Sequence, residues 1–185
     1  AELARLQAQL EVRERLADAQ IARWQPPLGE KPIAGLAHHF PLDEGDVPGK
    51  IGQALQLDGN SHVDHGDAVR LERDQAFSYG AWVFPSTAQP MNILSRMDSG
   101  AGERGFDLTF ENGPVSVHLI HDWPANGLKV QTKSQVARDR WTHVFATYDR
   151  SSKAAGVRVF FDGAEQELEV QSDTLSESIV ADVGF

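Results

Sequence analysis

The chain of 185 residues carries 17 Lys and Arg against 27 Asp and Glu, a formal charge of −10, with 41% hydrophobic and 24% charged residues. Those values suit a globular domain with an appendage and argue against disorder throughout, while nucleic acid is an unsuitable partner because its phosphates need clustered Lys and Arg. With 0 Cys there is no disulfide, thiolate-held zinc or attached haem, and no apolar run approaches the roughly 20 residues of a membrane-crossing helix.

Residues 1–25 predict an α-helix. Leu3, Leu6, Leu10, Ala17, Ile21 and Trp24 recur at helical spacing without Gly or Pro, and Pro26-Pro27 stops the pattern. Arg13 and Glu14 break the stripe, which leaves two readings open: a helix packed on its own domain, or half of an antiparallel coiled-coil arm. Residues 26–35 read as a linker. No signal peptide is visible, and the initial Ala fits a segment cut from a longer precursor.

From residue 36 the pattern changes to short alternating runs bounded by turn residues. Strands are predicted near Leu36–Leu42, Ala54–Leu57, Phe77–Phe84 and Ile93–Arg96. Phe106, Leu108 and Phe110 alternate with polar residues, Asn112-Gly113 follows, and Val115, Val117 and Leu119 alternate again, which predicts a hairpin. Further strands are expected at Leu128–Thr132, Thr142–Tyr148 and Val157–Phe161, the last closed by Asp162-Gly163, with Leu168 and Val170 alternating beyond it. Phe77–Phe84 is apolar on both faces and predicts a central strand, with Trp82 and Trp141 in the core. Many short strands and Gly-, Pro- and Asn-rich turns give an all-β sandwich or jelly roll.

The order of motifs is more specific than the number of strands. Leu42-Asp43-Glu44-Gly45 precedes Gly49-Lys50-Ile51-Gly52-Gln53-Ala54-Leu55-Gln56-Leu57-Asp58-Gly59, then Phe77–Pro85 and Ile93-Leu94-Ser95-Arg96. Arg140-Trp141-Thr142-His143-Val144-Phe145-Ala146-Thr147-Tyr148-Asp149 later leads to Val157–Gly163. This series resembles the laminin-G-like branch of the concanavalin A-like lectin/glucanase superfamily over residues 36–185. The resemblance implies a jelly-roll β-sandwich of antiparallel strands. Gly105–Leu108, Val117–Asn126 and Asp149–Val157 also resemble the domain of large planctomycete surface proteins that carry cytochrome-c-like domains. That implies an extracytoplasmic module, periplasmic or at the cell surface, whose partners include neighbouring domains of the same protein. Ile179–Phe185 resembles a strand that the family follows with a closing segment, and the sequence stops before it: either the segment ends early, missing a C-terminal strand and leaving an unpaired sheet edge, or the sandwich closes in another way.

Glycanases on this scaffold resemble one another in a Glu-x-Asp-x-Glu strand, and Glu165-Gln166-Glu167-Leu168-Glu169 is the nearest match. Leu168 and Val170 occupy its other face, so the glutamates are expected on a solvated edge, and no catalytic residue is assigned. His62 with His65, His118 with His121, and the adjacent His38-His39 have spacings that put ligands on opposite strand faces. Asp43, Asp58, Asp64 and Asp67 lie near turns and could supply oxygens for the structural calcium that the resemblance implies; the alternative is turn-forming, solvated aspartates. Trp123, flanked by His118, His121, Asp122 and Asn126, has the makings of a sugar site: a flat apolar ring with polar groups at its rim. The alternative is a packing plug at the sandwich edge. Arg96, Arg104 and Lys129 could favour an anionic glycan, though scattered cations are ordinarily solvation. The expected function is non-catalytic carbohydrate binding, with a structural or protein-interaction module as the rival and a glycoside hydrolase behind both. Of the charge, residues 162–182 carry seven acids and no Lys or Arg.

Overall fold

A computed structural model describes residues 33–185. The helix predicted over 1–25 and most of the 26–35 linker lie outside the described residues. Ile33–His39 carries no strand, and the compact unit that holds the sheets runs from Phe40 to Phe185.

Two short strands, β1 (Val47–Pro48) and β2 (Gln53–Ala54), pair as a small ribbon. The remaining strands are β3 (Phe77–Val83), β4 (Met91–Asp98), β5 (Arg104–Phe110), β6 (Pro114–Asp122) and β7 (Asn126–Gln135). They are followed by β8 (Thr142–Tyr148), β9 (Val157–Phe161), β10 (Ala164–Glu165) and β11 (Leu168–Asp173). One sheet has the order β11-β7-β6-β5-β4 and the other β10-β9-β8-β3, all pairs antiparallel.

Period-2 alternation explains why the two sheets stack. Phe106, Leu108 and Phe110 on β5, Val115, Val117 and Leu119 on β6, and Leu128 and Val130 on β7 share one face of the larger sheet. They meet Phe77, Tyr79 and Val83 on β3, Val144, Ala146 and Tyr148 on β8, and Val157, Val159 and Phe161 on β9. Tyr79 bridges the layers: its ring lies 5.9 Å from that of Phe106 and its hydroxyl donates to the Asp107 carbonyl at 3.0 Å. Burial, with the charge of Asp107 behind it, pushes that phenol far above its ordinary pKa, so it remains a donor. Deleting a fully buried aliphatic such as Leu108 removes roughly 2–5 kcal/mol in sites of this kind.

The turns obey residue chemistry. Asn112 (φ 60°) and Gly113 (φ 116°) make the two-residue connection from β5 to β6, and the Glu111 N–H donates to the Pro114 carbonyl across it at 2.9 Å. Asp162 (φ 50°) and Gly163 (φ 83°) do the same between β9 and β10. A buried cation ties loops to the sheet edge: Arg96 on β4 is 2% exposed and donates to the carbonyls of Val69 and Ala181 and, at 2.6 Å, to Asp67.

Several sequence expectations change. Leu36–Leu42 is not a strand, and of Ala54–Leu57 only Ala54 pairs, within the β1–β2 ribbon. β3 is not central: it lies at the edge of the four-stranded sheet, and Trp82 is 42% exposed rather than core. Its outward aromatics satisfy themselves laterally. Trp82 packs 5.1 Å from His143 with the Lys50 ammonium 5.0 Å from its ring, and Phe84 meets Trp141 edge-on at 5.6 Å. Glu165–Glu169 is not one strand, because the chain crosses there from the edge of one sheet to the edge of the other. Ile179–Phe185 is irregular, yet Ile179 and Ala181 are buried, and the Phe185 ring lies 6.0 Å from that of Phe106.

Candidate functional site

The outward face of the five-stranded sheet is polar where the inward face is apolar. Register places Asp107 of β5 opposite His118 of β6, which is opposite Lys129 of β7; the next row is Thr109, Ser116 and Gln131. Asp107, Thr109, Ser116 and His118 are buried, and Glu111, Lys129 and Gln131 lie along them. His118 Nδ1 sits 2.6 Å from Asp107 Oδ1, and since a carboxylate can only accept, Nδ1 carries the proton. On the ring's other side, Nε2 is 3.5 Å from Glu111 Oε1. Lys129 Nζ donates to both Glu111 oxygens at 2.8 and 3.0 Å, and the Gln131 amide donates to Glu111 at 2.8 Å and to the Ser116 hydroxyl at 3.0 Å. Partial burial pushes the Glu111 carboxyl up, but the hydrogen bond and charge of Lys129, with His118 and Ser116 behind them, outweigh it and hold it below the usual range.

Trp123 stands at the end of this face. The β6–β7 turn carries it with a cis bond to Pro124, and its N–H donates to the Gly102 carbonyl at 2.8 Å. Its ring presents an edge to His118 at 6.3 Å and 89°. Gly127 lies beneath it, where an added Cβ would make ordinary contact with the indole at 3.4 Å. Trp123 is 38% exposed.

The expected site residues therefore separate. His118 and Trp123 come together on the outward face, with exposed Asp122 beside them against the Gly102 turn. His121 and Asn126 turn toward residues 176–178. His121 Nδ1 meets the Ser178 carbonyl at 2.7 Å, with Nε2 3.3 Å from Glu177, and Asn126 exchanges hydrogen bonds with Ser176 at 2.9 Å each. Those two hold a loop. The residues that sequence reasoning missed are Asp107, Glu111, Ser116 and Gln131. The signal was present: a two-residue turn at Asn112-Gly113 dictates that Asp107 pairs with His118.

The expected calcium oxygens do not converge. Asp43 accepts the Gln53 N–H at 3.2 Å and Asp64 accepts that of Gly66 at 2.7 Å. Asp58 accepts from Asn60 and twice from Ser61, bonds that lower its pKa, the Asn60 N–H most. Asp58 and Asp64 close their own turns and Asp43 ties its loop to β2, and among the described residues no group of three or more His, Asp or Glu side chains could hold a metal ion. The glutamates of 165–169 are exposed; Glu165 pairs with Arg158 at 3.6 Å and Glu167 with Lys133 at 3.0 Å. A cleft of about 310 Å³ between Pro85 and Arg138 shares no residue with the Trp123 site.

A family model described as the concanavalin A-like lectin/glucanases superfamily, laminin-G type, matches residues 57–179, well over half of the chain. The chain belongs to this superfamily. No curated protein and no solved structure is significantly similar to it. The concanavalin A-like sandwich includes β3 to β11 within the matched span, and with them the polar face and Trp123. Among the described residues no helix is long and apolar enough to cross a membrane.

Proposed function

We propose that this concanavalin A-like domain is a non-catalytic carbohydrate-binding module of a larger exported protein, and that sugar docks on Trp123 and the polar sheet face beside it. The observation that carries the reading is the indole itself. Trp123 is over a third exposed, its backbone N–H is tied to the Gly102 carbonyl, and hydrogen-bonding groups flank it. A pyranose offers the matching chemistry, with an apolar C–H face for the ring and hydroxyls for the rim.

Binding rather than hydrolysis is supported by what the face does with its carboxylates. Asp107 is engaged by His118, and Glu111 by Lys129 and Gln131. A general acid needs a raised pKa, whereas Glu111 is lowered. The rival reading, a protein-interaction module, is favoured by the exposed Trp82 and Phe84 on the other sheet.

Affinity electrophoresis through gels loaded with soluble polysaccharides tests the proposal. At least one glycan is expected to retard the domain, and Trp123→Ala is expected to weaken that retardation roughly tenfold, as loss of a central aromatic anchor does. Unchanged mobility in every gel would leave the interaction reading, and an unaffected Trp123→Ala protein would move the site elsewhere. Release of reducing sugar would make the domain a hydrolase.

A further inference from the structure

Among the described residues, Arg96, Arg104, Lys129 and Lys133, the cations on the strands of this sheet around Trp123, are already engaged. Arg96 is directed into the opposite side of the sheet and buried against carbonyls and Asp67. Arg104 donates through Nε to the His121 carbonyl at 3.1 Å, with a second nitrogen 3.4 Å from the His121 ring. Lys129, the cation within the polar row, gives Glu111 two hydrogen bonds with its side chain only 14% exposed. Lys133, further along β7, is paired with Glu167. The acids are not matched in the same way: Asp122 and Glu169 add exposed carboxylates around the face. A carboxylate or sulfate arriving here meets net negative charge, and pairing with Lys129 would leave the partly buried Glu111 uncompensated.

We infer that the Trp123 face selects uncharged glycans and refuses uronic-acid and sulfated ones, because the Lys129 ammonium is held by Glu111. This rests on the carbohydrate-binding reading above. Hydroxyls remain welcome, since the exposed carboxylates of Asp122 and Glu169 accept hydrogen bonds from them. The selection is thus built by an internal ion pair rather than by the absence of cations.

The experiment compares two sets of gels, one with neutral β-glucan, galactomannan or xyloglucan, the other with alginate, polygalacturonate or heparin. Retardation is expected in at least one neutral gel and in no anionic gel. Trp123-dependent retardation in an anionic gel would overturn the inference while leaving the carbohydrate-binding reading intact; retardation in none would overturn both. Glu111→Gln removes the carboxylate that holds Lys129, and is expected to create retardation in the anionic gels, of the roughly two- to fivefold size of an exposed ion pair, abolished by salt. Should that variant not fold, Gln171→Lys adds a cation at an exposed position beside Gln131 and is expected to give the same gain. No gain in a folded variant would mean that the Lys129–Glu111 pair does not set the selection.

Discussion

At the scale of single residues, the outward face shows how much polarity a sheet can bury when each group has a partner. Glu111 is the centre of it, taking bonds from Lys129 and Gln131 and facing His118. Its lowered pKa has a sign that can be worked through. A carboxyl more acidic in the folded than in the unfolded chain stabilises the fold above its unfolded value, about 4.3, and that contribution is lost as pH falls through the folded value. Glu111→Gln lacks this titration. Its thermal midpoint is expected to lie below that of the native protein at pH 6 and to converge on it below about pH 4. Differential scanning calorimetry across that range decides the matter; a gap that stays constant with pH would show that the ion pair adds no stability. Residue by residue, Trp123 and His118 were legible in the sequence as a pair, because an aromatic residue on a predicted turn and a histidine on the strand before it are both local features. The partners of His118 come from another strand. The partners of His121 and Asn126 were hidden for the same reason, since the segment they hold lies about fifty positions further on and no local pattern joins them.

At the scale of elements, turns and inward faces were readable and edges were not. The Asn112-Gly113 hairpin, β8 and β9 follow from alternation and from residues that tolerate positive φ. Whether a strand is central or at an edge depends on what lies beside it, and apolar residues on both faces of β3 pointed the wrong way because Trp82 and Phe84 pack laterally on their own sheet. The β4–β5 pair carries an element-level constraint that alternation also hides. Gly105 has φ 142°, and a Cβ there would fall 1.8 Å from the Arg96 carbonyl oxygen. Gly105→Ala is therefore expected to cost on the order of 2–3 kcal/mol, through strain and displaced pairing together. Gly163→Ala, in an open turn with nothing within 4 Å of the added carbon, is expected to cost about 1 kcal/mol from its backbone conformation alone. Urea titrations with unchanged m-values would measure both; equal losses at the two sites would show that the close approach at Gly105 is unimportant.

At the scale of the whole molecule, four of the seven acids in the stretch from 162 to 182 are paired with cations from outside it. Arg140 meets Asp162, Arg158 meets Glu165, Lys133 meets Glu167, and Arg70 reaches Asp182. Those exposed pairs contribute little energy each, but they spread a sequence-local charge over both sheets. The placement of β3 has a different consequence, one of timing. β5, β6 and β7 are joined by tight turns and can pair as soon as those turns close, whereas β3 must wait for a strand more than half a sandwich later in the chain: Phe77 pairs with Tyr148 and Val83 with Thr142. Closing such a long loop costs chain entropy before any pairing compensates for it, which slows folding into the millisecond-to-second range typical of sandwiches. If β3 docks after the main barrier, Val83→Ala is expected to accelerate unfolding and leave the folding rate nearly unchanged, while Leu108→Ala slows folding. Stopped-flow chevrons separate the two, and a Val83→Ala protein whose folding slows by its whole loss of stability would place β3 in the nucleus. During synthesis β3 is made well before β8, so the nascent chain carries β3 and its aromatics without their partner strand. The demand this fold makes on its synthesis is then protection of β3 until residue 148 and those after it have emerged.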